Sequence, residues 1–169
     1  MTDIQAAPST AEPRPKTATK EMRRAAAERI IDRLVRSGHL TEAERAPSVD
    51  DLAAVGERHM DGYQIAKRLD ERGWDCDLQM ADELDGFVHE LDAELRKAER
   101  AWFERVRPAP PFPDGTRVAF GRGETGVIDR VSAHDPAKYA IKVDGDAEAH
   151  TAARRRRIVN FEDVRAEVS

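Results

Sequence analysis

The chain has 169 residues and a formal net charge of −5, with 36% charged and only 5% aromatic residues. This length allows one ordinary domain or two small ones, and the scarcity of aromatic residues predicts thin, aliphatic cores. No apolar run approaches the roughly 20 residues that cross a bilayer, and no hydrophobic leader opens the chain, so we expect a cytoplasmic protein. The single cysteine, Cys76, excludes an internal disulfide and fits a reducing compartment.

The charge is unevenly distributed along the chain. Residues 14–36 contain 8 basic and 3 acidic residues, whereas residues 41–106 contain 18 acidic and 9 basic residues. Residues 111–169 contain 10 of each sign. The sequence therefore predicts a basic first segment, an acidic middle and a neutral end that includes one local cluster of arginines.

Residues 1–18 are rich in Pro, Ser, Thr and Ala and offer little to bury, which predicts a disordered tail. A helical domain is expected over residues 19–106. Its first helix is predicted from Lys20, where helix-forming residues begin, to a stop at Gly38. Apolar residues at helical spacing form the predicted buried face of this helix: Ala27, Ile30, Ile31, Leu34 and Val35.

Two shorter helices are expected next. Pro47 is expected to end a short turn, and Ser48 is a favourable N-cap for the second helix. Asp61 and Gln64 have the spacing of a capping box at the start of a third helix, which Gly73 is expected to end.

The strongest periodic pattern predicts one long helix over residues 77–106. Its apolar residues alternate in spacing between 3 and 4, as in a heptad seam: Ala81, Leu84, Val88, Leu91, Leu95, Ala98 and Trp102. Folded back on the shorter helices, this helix makes a hairpin or small bundle that covers the first half of the seam. The second half needs the first helix or another chain, so Leu95 and Trp102 are candidate partner-binding residues, including for a homodimer.

Four prolines in residues 107–114 predict a rigid linker. In the following residues, 115–169, the apolar pattern changes to period two, in the short runs TRVAF, TGVIDRVSA, KYAIKVD and RRIVNF. The predicted fold class is therefore α+β, with an N-terminal helical hairpin or small bundle followed by a small antiparallel β-barrel.

The order of these strands resembles the SH3-like barrels of the KOW and Tudor type. The resemblance covers residues 112–168 and rests on DGTRVAF, GRGETGVIDRV, KYAIKV and RRIVNFEDV. It implies an SH3-like barrel, and it implies contact with RNA or a nucleoprotein assembly, because such barrels commonly engage these partners through loops and edges. The helical half resembles no family that we recognise.

Four consecutive arginines precede the last predicted strand. Because arginine pairs bidentately with phosphate, we take these and the nearby cations as candidate nucleic-acid-binding residues: Arg154, Arg155, Arg156, Arg157, Arg130, Lys138 and Lys142. Side chains alternate along a strand, so the run is either loop to about Arg156 or an edge strand whose inward arginines reach past the barrel end. A plain solvated edge is the competing interpretation.

Residues 75–94 contain eight carboxylates and no Lys or Arg. A solvated helix face is the simpler interpretation, and a surface for a basic partner is the alternative, with Asp82, Glu83 and Asp85 as candidate residues. The leading functional hypothesis is a non-enzymatic adaptor whose barrel and basic first helix contact nucleic acid or a nucleoprotein, while the helical half docks a protein. The alternative is a protein-directed inhibitor or assembly component, such as one encoded by a mobile element, that acts through the acidic helix face.

Catalytic motifs are weak in this sequence. GRGETG, at residues 121–126, spells the dinucleotide fingerprint, but a strand pattern follows it where that site requires a helix. Asp85, His89 and Asp92 share one helix side without a second set of metal ligands, and the aspartates beside Cys76 disfavour a thiolate. We therefore predict no catalytic residue, cofactor or metal, and we do not expect an enzyme.

Overall fold

The computed structural model describes residues 12–144 and 156–167 of the chain. Most of the predicted tail, residues 1–11, lies outside the described residues, as do Arg154 and Arg155. Within the described residues, five α-helices precede five β-strands. The predicted α+β class, with helices first and strands last, is confirmed.

Contacts divide the chain into two compact units. We call Arg14–Ala101 the helical unit, and Trp102–Ser169 together with Met1–Pro13 the sheet unit. The division falls inside the last helix, so residues 107–114 belong to the sheet unit.

The helical unit buries an aliphatic core between its helices. These helices are α1 (Lys20–Arg36), α2 (Arg45–Val55), α3 (Gly62–Asp70), α4 (Leu78–Leu84) and α5 (Gly86–Val106), whose last residues belong to the sheet unit. The largest fully buried side chains come from all five helices: Ile30, Ile31, Leu34, Leu52, Ile65, Leu69, Leu84, Phe87 and Leu91. None of the helices in the described part of the chain is long and apolar enough to span a membrane.

Side-chain caps start three of these helices. The Thr19 hydroxyl accepts a hydrogen bond from the backbone N–H of Met22 at the start of α1. Asp61 and Gln64 form the predicted capping box of α3, with N–O distances of 2.8 and 3.1 Å. Asp77 caps α4 by accepting from the Met80 N–H. Because each cap satisfies a backbone donor that the helix leaves unpaired, local sequence sets these starting points.

The predicted start of α2 at Ser48 is wrong by three residues. The helix begins at Arg45, and Pro47 lies within its first turn rather than before it. Proline is tolerated there, because the first backbone N–H groups of a helix have no partner inside the helix. Ser48 is instead buried in the helix.

The predicted single helix over residues 77–106 is also wrong, because it is interrupted at Asp85, between α4 and α5. There the Asp85 carboxylate accepts a 3.0 Å hydrogen bond from the Gly62 backbone N–H at the start of α3. A Cβ atom on Gly62 would lie 2.1 Å from the Ala81 carbonyl oxygen and 2.5 Å from the Asp85 nitrogen. The backbone of α3 therefore packs directly against the interruption, which only a glycine allows.

The sheet unit contains one antiparallel sheet in the order β4-β3-β2-β1-β5. Its strands are β1 (Arg117–Phe120), β2 (Glu124–Val131), β3 (Lys138–Val143), β4 (Arg156–Asn160) and β5 (Val164–Ala166). A 3-10 helix, Phe161–Asp163, connects β4 to β5. Within the described residues, β4 and β5 do not pair, so the sheet is not closed and the predicted barrel is not confirmed.

The core of the sheet unit lies on one face of this sheet. Tyr139 is fully buried, and the centroid of its ring lies 4.5 Å from the centroid of the Phe161 ring. The Tyr139 hydroxyl accepts from the backbone N–H of Phe112 and donates to its carbonyl, both at 2.8 Å, which fixes the proline-rich segment to the core. Trp102 is also buried in this core, and its indole N–H donates to the Glu12 carbonyl at 2.7 Å.

Candidate functional site

The opposite face of the sheet brings together basic residues from three strands. In β3, Tyr139 and Ile141 point into the core, so Lys138 and Lys142 point outward. Residues that pair directly across strands share a face. Because Lys142 pairs with Arg156 of β4, and Ala140 pairs with Arg130 of β2 and Ile158 of β4, these residues also face outward. We call Arg130, Lys138, Lys142 and Arg156 the basic outer face.

One carboxylate, Asp129, lies at the centre of the basic outer face. Its oxygens lie 2.8 Å from Lys142 Nζ, 2.7 Å from Arg156 Nε and 3.9 Å from Arg130 Nη1. The hydrogen bond from Lys142 and the charge of Arg156 lower the pKa of Asp129, so its carboxylate stays ionised at neutral pH. Among the described residues, three cations share this one anion, which is an excess of two positive charges.

Arg157 points to the other side of β4. Residues two apart in a strand share a face, so Arg157 lies on the same side as Val159, which packs against the core. The Arg157 guanidinium lies 3.0 Å from Glu124 Oε1. β4 is an edge strand that begins at Arg156, and the Arg157 side chain remains largely exposed. From Arg156 onward the described residues fit the edge-strand alternative, in which an inward arginine extends past the core, whereas Arg154 and Arg155 lie outside the described residues.

Aromatic stacking on a base is not available on this face. Tyr139 and Phe120, the two rings closest to the arginines in the sequence pattern, are both buried in the core. The exposed apolar side chain of the outer face is Ile158, which is 49% exposed. Within the part of the chain that the structure describes, the face thus offers cations to a phosphate backbone but no ring to single-stranded bases.

Three cations of the basic first helix pair with carboxylates of other helices in the helical unit. Arg29 and Arg33 of α1 lie 3.3 and 3.4 Å from the carboxylate of Glu90 in α5, and Arg29 also pairs with Glu94. The hydrogen bond that Arg29 donates to the Glu94 carboxylate raises the pKa of Arg29. Arg24 pairs with an aspartate of α2. The cations of α1 and the anions of α5 therefore compensate each other.

The predicted acidic residues have two different environments. Asp85 is bonded to the start of α3, as described above, so it has a structural role. Asp82 is exposed and Glu83 is half-buried, and neither makes an ion pair within the described part of the chain. Asp82 and Glu83 thus remain available to a partner.

The two apolar residues predicted to meet a partner also differ. Leu95 is half-buried in the helical unit. Trp102 is 5% exposed and packs in the core of the sheet unit, so most of its surface already has an intramolecular contact. The structure does not bring these two residues together with the acidic positions into one surface patch.

The sequence analysis missed two exposed apolar residues, Tyr63 and Leu78. Tyr63 lies in the first turn of α3 and Leu78 is the first residue of α4, each shortly after an N-cap aspartate. Neither residue belongs to the set of buried residues in its helix. A large apolar side chain that lies off the buried face of a helix is the sequence signal that could have identified them.

The glycine motif at residues 121–126 forms a turn and a strand. Gly121 and Gly123 have positive φ angles of 56° and 97°, as the turn interpretation predicts. Gly126 lies inside β2, where a Cβ atom would come within 2.2 Å of the Lys142 carbonyl oxygen. No helix follows the motif, so the geometry of a dinucleotide site is missing here.

The surroundings of Cys76 disfavour its thiolate form. Burial and the neighbouring Asp70 carboxylate raise the pKa of its thiol to about 12. Because the thiolate is the nucleophilic form of cysteine, Cys76 is a poor nucleophile at neutral pH, as the sequence predicts.

Comparison of the chain with protein-family models, curated proteins and solved structures finds no significant match.

Proposed function

We propose that this protein is a non-enzymatic adaptor whose sheet unit binds the phosphate backbone of nucleic acid, alone or in a nucleoprotein, while its helical unit docks a protein. The observation that carries this proposal is the convergence of Lys142, Arg156 and Arg130 on one outer face, where the described residues place a single carboxylate among them. Cations on a sheet face suit phosphate contacts, which give affinity without sequence specificity.

We further propose that the sheet unit is an open form of the SH3-like barrel. The strand order, in which β5 lies beside β1 and β4 forms the far edge, supports this proposal. The antiparallel pairing of all neighbouring strands supports it as well. In this form the edge strand β4 presents its arginine residues next to the unpaired side of the sheet.

The basic first helix contributes less to this function than its sequence suggests. Arg24, Arg29 and Arg33 face carboxylates of the same unit, so binding phosphate would require these ion pairs to break. We therefore assign the nucleic-acid contact to the sheet and leave α1 a secondary role.

The test is retention of labelled double-stranded DNA and RNA at low ionic strength by the full chain. Lys142→Ala combined with Arg156→Ala should weaken binding. In a plot of the logarithm of the binding constant against the logarithm of the salt concentration, the magnitude of the slope should fall by about 1 for each phosphate that is no longer bound. Alanine at all four positions from Arg154 to Arg157 should have a larger effect. Asp129→Asn should strengthen binding, because it removes the carboxylate that pairs with these cations in the described part of the chain.

A matched control is Arg58→Ala combined with Arg72→Ala, which removes two exposed charges from the helical unit. If this control weakens retention as much as the sheet variant does, binding follows net charge alone and the proposed site is wrong. Unchanged retention in the variant lacking all four arginines would equally contradict the proposal.

A second candidate function is a protein-directed regulator that acts through its acidic helices. The supporting observation is that Asp82 and Glu83 lack ion pairs within the described residues, whereas Glu90 and Asp92 pair with arginines. Asp82→Lys with Glu83→Lys should abolish regulation by this route and leave nucleic-acid retention unchanged or stronger. Asp85 is unchanged in this variant because its carboxylate accepts a hydrogen bond from the Gly62 N–H at the start of α3.

A further inference from the structure

The surface formed by α3 and α4 carries the most exposed large apolar side chains of the described residues. Tyr63 is 68% exposed and Leu78 is 79% exposed. Together with Ala66, Cys76 and Ala81 they line a cleft of about 630 Å³. A single exposed apolar residue needs no explanation, but two beside one cleft indicate a contact surface.

The cleft is a groove between two antiparallel helices. At the start of α3, the Gly62 backbone N–H donates a hydrogen bond to the carboxylate of Asp85, which follows the end of α4. At the end of α3, the Asp70 carboxylate accepts a hydrogen bond from the N–H of Cys76, just before the start of α4. On α3 the lining residues follow the spacing i, i+3, i+4 and i+7, which is one continuous stripe: Tyr63, Ala66, Lys67 and Asp70. A groove of this kind accepts the apolar face of a third helix.

The charge around the groove is strongly negative. Residues 70–85 include seven acidic residues and one basic residue, a net charge of −6, and that basic residue, Arg72, pairs with Asp51 of α2. Asp82 lies one helical turn after Leu78 on the same side of α4. Asp75 precedes α4, and neither Asp75 nor Asp82 makes an ion pair within the described part of the chain. Lys67 is the one cation of the lining.

We infer that this groove binds an amphipathic helical segment of another protein, with its apolar side chains on Tyr63 and Leu78 and its Lys or Arg residues beside Asp75 and Asp82. Opposite charge at the rim favours such a segment and excludes acidic competitors. A second copy of the chain fits poorly, because a symmetric contact would place two such acidic surfaces against each other. The inference rests on the proposed docking role of the helical unit and specifies its partner.

The experiment measures fluorescence anisotropy with the full chain and a labelled helical peptide that has leucine on one face and lysine on the other. A matched peptide with glutamate in place of each lysine is the comparison. We expect the Leu/Lys peptide to bind and the Leu/Glu peptide not to bind. Tyr63→Gln with Leu78→Gln should weaken binding at least about tenfold, since burying one large apolar side chain is worth a factor of this order. Asp75→Asn with Asp82→Asn should weaken it and reduce its salt dependence.

The matched control is Val131→Gln with Ile158→Gln, the same change at the exposed apolar residues of the sheet unit. Equal loss of binding in this control, or full binding by the Tyr63/Leu78 variant, would overturn the inference. So would absence of binding by the unmodified chain, or a self-association in sedimentation that the Tyr63/Leu78 variant abolishes. Retention of nucleic acid is a separate readout, so failure of the groove leaves the proposal for the basic outer face standing.

Discussion

Basic side chains have different surroundings in the helical unit and in the sheet unit. Arg29 and Arg33 lie opposite the carboxylate of Glu90, so their charges are largely compensated. Lys142 and Arg156 share a single carboxylate, Asp129, with a third cation.

Cys76 provides a prediction at this scale. Its thiol pKa of about 12 in the folded chain lies well above the ordinary value, so the reactive thiolate is scarce until the pH is far above neutral. We expect iodoacetamide at pH 8 to alkylate the folded chain at least about tenfold more slowly than the urea-unfolded chain. In the folded chain the rate should still rise above pH 9, where that of the unfolded chain levels off.

Asp70→Asn is the matched variant for this measurement. It removes a carboxylate that raises the pKa of Cys76, so alkylation of the folded variant should be faster. Equal rates for folded and unfolded protein would show that the thiol is neither buried nor influenced by this charge.

At the scale of elements, the interruption between α4 and α5 allows α3 to pack close to them. Gly62 contributes no side chain at the point where the helices meet, and Asp85 binds its backbone N–H. Asp85 keeps a helical backbone conformation and its N–H still bonds the Ala81 carbonyl, while its carboxylate forms a hydrogen bond to a neighbouring helix. The seam residues on either side, Leu84 and Leu91, remain buried in the core of the helical unit.

A pair of glycine substitutions tests this arrangement. Gly62→Ala should lower the free energy of unfolding by about 1–3 kcal/mol, because its Cβ would overlap backbone atoms that cannot move independently. Gly86→Ala should be neutral or stabilising by up to about 1 kcal/mol, since alanine favours helix and the added Cβ meets only the flexible end of Arg33. Urea unfolding followed by circular dichroism measures both. Similar effects of the two changes would contradict the proposed close approach of α3.

At the scale of the whole molecule, the chain has two separate hydrophobic clusters. The cluster of the helical unit draws on residues from α1 to α5 as far as Leu91. The cluster of the sheet unit contains the strands, the 3-10 helix and Trp102. Neither cluster shares a buried residue with the other, so each unit has the means to hold its own fold.

This separation predicts that residues 14–101 fold without the sheet unit. A chain of these residues should show helical circular dichroism, a cooperative thermal transition and dispersed amide resonances. Ile30→Asp in this fragment should abolish the transition, because it places an unpaired charge in the core. The exposed change Leu78→Gln should leave it intact. A fragment with helical signal but no cooperative transition would show that its core depends on the rest of the chain.

The class of each half of the chain and most local boundaries could be predicted from the sequence alone. Spacing of 3 and 4 predicted the helices, alternation predicted β1 to β4, and the caps at Asp61 and Asp77 are local hydrogen bonds between near neighbours. These features depend on interactions within a few residues, which a single sequence displays directly.

The combination of distant residues could not be read from the sequence, because it depends on packing. The fold bonds the Asp85 carboxylate to the Gly62 backbone N–H, 23 residues away, and it pairs Arg29 and Arg33 of α1 with Glu90 of α5. It placed Arg156 beside Lys142 and left Tyr63 and Leu78 exposed around one groove. Periodicity specifies which face of an element is apolar, but the pairing of faces and charges depends on packing between elements far apart in the chain.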